Sequence, residues 1–66
     1  MAEEAILQFF TYEHLRTDLK SVSEPFGELA KALVRDLPRS PERSVALRKL
    51  LEAKDAAVRA ALFKDD

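Results

Sequence analysis

The sequence predicts an all-α fold, an antiparallel two-helix hairpin preceded by a short N-terminal helix. Three observations predict it. From Leu15 onward, apolar residues recur at Leu19, Val22, Phe26, Leu29, Leu33 and Leu37, in steps of three and four. That spacing marks one face of a helix, not an alternating strand. Residues 40–63, SPERSVALRKLLEAKDAAVRAALF, read as a second complete helix with its own start signal. Between the two, Pro38 and Pro41 bound a connection so short that it makes the helices antiparallel neighbours.

The elements follow in order. Ala5, Ile6, Leu7, Phe9 and Phe10 form an apolar knot behind Glu3 and Glu4, two carboxylates suited to a helix start. The expectation is a short helix over about 3–9. Thr11 then caps a long helix over about 12–36. Pro25 lies inside it and removes one backbone hydrogen bond. A restart with Ser23 as cap is the alternative, but the apolar stripe keeps its phase across Pro25. A continuous helix kinked near Pro25 is therefore favoured. Pro38 biases Leu37 away from helical geometry and ends the helix near Asp36. Ser40 is the next cap, Pro41 fits the first helical position and Glu42 complements the dipole. The last helix, over about 41–63, is roughly 33 Å long.

That last helix is apolar on more than one face, through Val45, Leu47, Leu50, Leu51, Val58, Leu62 and several alanines. A wide apolar stripe needs more than one neighbour. One domain of 66 residues hardly supplies two, and a chain this short is marginal alone. It has no Cys and a single His, His14, so neither disulfides nor a protein-only zinc site is expected to reinforce it. Self-association remains, and a homo-oligomer is expected.

Eleven basic and twelve acidic residues give a net charge of −1, unlike a general duplex-DNA binder. No apolar run has the length of a membrane span, and the acidic start MAEEAILQFF lacks the basic region of a signal peptide. A cytosolic protein is the expectation. The single Gly, Gly27, leaves no Gly-rich phosphate loop, and no Ser/His/Asp set stands out. The chain reads as a binding protein, not an enzyme, and needs no cofactor.

Two features carry possible binding chemistry. Tyr12 stands among Thr11, Glu13, His14 and Arg16, and a Tyr in polar company can stack a nucleobase. Core packing is its ordinary role, as for Phe9 and Phe10. Arg35, Arg39, Arg43 and Arg48 flank the Pro-bounded turn. Nearby Asp36, Glu42, Glu52 and Asp55 make ordinary charge balance the simplest reading. Even so, Arg39 and Arg43 stand beside backbone N–H groups that open a helix, an arrangement suited to phosphate.

Residues 40–59, SPERSVALRKLLEAKDAAVR, resemble the hairpin domain of the phage anti-CBASS protein 2 family. FTYEHL at 10–15 and VSEPF at 22–26 also resemble these small phage proteins, so the similarity covers nearly the whole chain. The resemblance implies a sponge: a compact homohexamer in the cytoplasm of the infected bacterial host. It would sequester the cyclic oligonucleotide messengers of CBASS immunity without cleaving them. It also implies two kinds of pocket. One, for cyclic dinucleotides such as 3',3'-cGAMP, uses Tyr12 to stack a base and a Lys to hold phosphate. The candidates for that Lys are Lys20 and Lys31, with Phe26 and Gly27 at the spacing nearest the expected one and His14 close by. The other, for cyclic trinucleotides such as cyclic triadenylate, uses Arg39 and Pro41 with Arg43 and Ser44 as neighbours. The rival reading is a small helical oligomeric scaffold or adaptor that offers an apolar groove to a protein partner.

Overall fold

The second long helix forms where its start signals place it. In the computed structural model, which describes residues 4–64, α2 spans Pro41–Leu62. Ser40 is extended and its hydroxyl accepts a hydrogen bond from the Arg43 backbone N–H at 3.1 Å, while Pro41 fills the first helical position. α1 spans Thr17–Asp36 and ends at an extended Leu37, just before Pro38. The two run antiparallel: Arg43 at the start of α2 bonds the last carbonyls of α1, and Lys54 and Val58 lie beside Leu15 and Ser23 near its start. No strand occurs among the described residues.

α1 passes through Pro25 as one continuous helix. Ser21, whose carbonyl loses its partner to Pro25, is exposed, as is Pro25 itself, so water can satisfy the freed group.

The N-terminal region departs from expectation. A 3₁₀ helix covers Ala5–Phe10 instead of a helix over about 3–9, and Glu3 lies outside the described residues. The long helix does not begin near residue 12. Residues 12–16 form a turn closed by Leu15 N–H donating to the Tyr12 carbonyl at 3.1 Å, and α1 starts at Thr17. Thr11 does not cap it; its hydroxyl donates back to the Gln8 carbonyl at 3.2 Å. The cause is burial. Thr11 is extended (φ −65°, ψ 143°), which sends Phe10 and Tyr12 to the same side, and both are buried against the hairpin. A helix through residues 11–16 would swing Tyr12 away from that side.

The core is small. Phe10, Ala30 and Leu47 form its buried centre, packed by Ile6, Leu7, Phe26, Leu33, Val34, Leu50 and Leu51. The face of α1 buried most deeply is not its large apolar stripe but Ser23, Gly27 and Ala30. Small side chains there admit close neighbours. A Cβ on Gly27 would lie 2.8 Å from the Phe10 carbonyl oxygen and 3.0 Å from Tyr12 Cδ2, so only glycine fits under that segment. Leu29 and Leu37, both in the predicted stripe, are exposed.

Candidate functional site

Tyr12 is seated on α1, not held out from it. Only 8% of the residue is exposed. Its hydroxyl donates to Glu28 Oε2, and the Lys31 ammonium stands 5.7 Å from the ring centroid, within cation–π range. The hydrogen bond to Glu28 raises the phenol from its ordinary 10.0 to about 12, helped by burial and by the charges of Glu28, Glu24 and Glu13. The same bond, followed by the Lys31 charge, pulls Glu28 below the usual carboxylate range. Glu13 is lowered too, chiefly by backbone hydrogen bonds from itself and Tyr12, with smaller help from Lys31 and Lys20.

The depression beside this ring is small, ≈ 80 Å³, with Gly27, Thr11 and Lys31 on its walls. Of the five residues expected around a cyclic dinucleotide, the structure therefore brings Tyr12 and Lys31 together. Lys20 is near enough to Glu13 to feel its charge. Phe26 is turned inward, half-buried against the core. His14 does not line the depression; it faces a different groove, against α2.

The turn between the helices also sorts its residues. Arg39 keeps 66% of its side chain exposed, and its closest carboxylate, Glu4 Oε2, is 3.8 Å from Nε. Pro41 and Ser44 are exposed, and the Ser44 N–H donates to the Ser40 carbonyl at 3.1 Å as part of the helix start. Arg43 contradicts the expectation of an available phosphate contact. It is 7% exposed, Nη1 donates to the Val34 carbonyl at 3.2 Å and the Leu37 carbonyl at 2.8 Å, and Nη2 pairs with Glu4. A guanidinium here meets the orphan carbonyls and negative end of α1, which is why it turns inward. Of these two arginines, Arg39 is the one that the turn offers to solvent.

Sequence reasoning missed three partners: Glu28 of Tyr12, Glu4 of Arg43, and the basic groove behind His14. Only the first carried a signal. A lone glycine inside a helical pattern marks a close backbone approach, and Gly27 lies next to Glu28.

Among the described residues, no cluster of three or more His, Asp or Glu could hold a metal ion, and no helix is long and apolar enough to cross a membrane. No family model, no curated protein and no solved structure matches the chain.

Proposed function

We propose that this chain is a self-associating sponge that sequesters cyclic di- and trinucleotide messengers without cleaving them. The observation that carries the reading is the exposed Arg39 guanidinium on a Pro-bounded turn, while its neighbour Arg43 is locked into the fold. In a ring of protomers this turn recurs around the symmetry axis, and single cations become a cluster. A cyclic trinucleotide carries three phosphates and can share three-fold symmetry, so three Arg39 side chains match it in charge and geometry. We place a second, cyclic dinucleotide site at the paired Tyr12 ring and Lys31 ammonium; with Tyr12 only 8% exposed, a base stacks on the ring once its neighbours draw aside and Lys31 moves to a phosphate. The host-cell cytoplasm, where such messengers act, is the matching location. The resemblance of residues 40–59 to the anti-CBASS hairpin domain supports the same reading.

The test is calorimetric titration with cyclic triadenylate and with 3',3'-cGAMP. Arg39→Ala is expected to abolish most triadenylate affinity, since symmetry repeats the change in every copy, and to leave 3',3'-cGAMP binding nearly intact. Tyr12→Ala, checked for retained helicity, is expected to weaken 3',3'-cGAMP by about 1–3 kcal/mol, the usual range for one base-stacking contact. Failure of the native protein to bind either ligand sinks the reading and leaves the adaptor role.

A further inference from the structure

A groove of ≈ 420 Å³ lies between the N-terminal segment, the first half of α1 and the second half of α2. Its volume falls in the range of small-molecule sites. Phe9, His14, Ser23, Lys54, Asp55 and Arg59 are among the residues lining it. Neither Tyr12 nor Arg39 lines it, so this groove is independent of the cyclic-nucleotide sites proposed for those two residues.

Ser23 is 1% exposed, and its hydroxyl has no hydrogen-bond partner. A helical serine commonly returns its hydroxyl to a carbonyl one turn back, as Ser21 does to Thr17 at 3.1 Å. Ser23 does not, and an unpaired buried hydroxyl is costly. Lys54 lays its stem along the groove with 15% of the side chain exposed, and its ammonium is held 3.0 Å from Asp55 Oδ1. Arg59 is exposed and has no carboxylate partner within 4.0 Å among the described residues. Phe9 is 56% exposed, although its neighbour Phe10 is buried.

A bare aromatic ring, two cations and an unsatisfied hydroxyl thus border one groove. That set is complementary to a flat aromatic group carrying a phosphate. We propose that this groove is a nucleoside-phosphate site complete within one protomer. The base lies on Phe9, and Lys54 and Arg59 hold the phosphate, with the buried Ser23 at the floor of the groove. Asp55 fixes the ammonium and is a positioning residue. His14 belongs to this site and not to the Tyr12 depression.

The experiment is a titration of isotope-labelled protein with AMP, followed by backbone amide resonances, with adenosine and inorganic phosphate as the two halves of the ligand. Saturable shifts at His14, Ser23 and Arg59 are expected, with AMP tighter than either half. Arg59→Ala and Lys54→Gln should each weaken AMP roughly tenfold, the scale of one charge-assisted hydrogen bond. Phe9→Ser should remove the advantage of AMP over phosphate, and Arg39→Ala should change nothing. Absence of saturable shifts at the groove overturns the proposal. So does AMP binding no tighter than inorganic phosphate, which would leave an anion site without base recognition. Undiminished affinity in the Arg59→Ala, Lys54→Gln double variant overturns it as well.

Discussion

The Tyr12 hydroxyl and the Glu28 carboxylate share one hydrogen bond and shift in opposite directions, so the pair ties stability to pH at both ends of the scale. The phenol is raised from 10.0 to about 12, which means that the folded chain holds this proton more tightly than the unfolded one. Its contribution is complete below pH 10 and is lost as pH rises toward 12. Glu28 is lowered from 4.5, so its contribution is present above that value and disappears as pH falls through the folded-state pKa. Melting temperature measured against pH should therefore fall at both limits. Tyr12→Phe should flatten the alkaline decline between pH 10 and 12. An equal decline in that variant would place the titration elsewhere. The sequence shows Tyr12 in polar company and suggests an available ring. It cannot show that the hydroxyl finds Glu28, sixteen residues away, because that pairing exists only once the chain doubles back.

Among the elements, the junction of α1 and α2 depends on Arg43. Its guanidinium closes the C-terminal end of α1, while its own N–H is capped by Ser40 at the start of α2. Glu4 brings the N-terminal segment to the same point. Arg43→Ala should cost about 3 kcal/mol, because it leaves the Val34 and Leu37 carbonyls at the end of α1 without their donor and breaks the ion pair with the half-buried Glu4. Arg43→Lys should recover little of that, since an ammonium lacks the planar fork that reaches three acceptors. Arg39→Ala, one turn away but exposed, should stay within about 0.5 kcal/mol of the native protein. Denaturant unfolding separates the three. The physical reason the helix ends were legible is the locality of their signals. Ser40, Pro41 and Pro38 act through their own backbone, and α2 and the end of α1 stand as predicted. The start of α1 was misread because it is decided by tertiary burial of Phe10 and Tyr12, which no local propensity carries. The sequence does not show how the candidate site residues group: Tyr12 and Lys31 lie together, whereas His14 lines a different groove and Arg43 is taken up by the end of α1, because these placements arise only when distant segments pack.

As a whole, the chain is long and thin, with extents of 45 × 21 × 16 Å. Its radius of gyration, 12.9 Å, exceeds the roughly 11 Å of a compact chain this size. Its surface of 4908 Å² exceeds the roughly 4200 Å² expected for its mass. Leu29, Leu37, Val45, Leu62 and Phe63 are left exposed, Phe63 by 74%. These are the surfaces that self-association would cover. Sedimentation at micromolar concentration should show an oligomer, with six copies the expected number, and the melting temperature should rise with concentration. A monomer at that concentration rules the assembly out. The junction at Glu4 also sets the order in which the molecule is made. The Glu4–Arg43 contact spans 39 residues of chain, whereas the helices meet across a few-residue turn. Closing the short loop costs less entropy than closing the long one, so the hairpin zips first and the N-terminal segment arrives on a surface already formed. The last contact made is then the first undone. The depression beside Tyr12 should then open with that segment while the helical pair stays closed, and amide exchange over residues 5–12 should outpace exchange in the middle of α1 and α2.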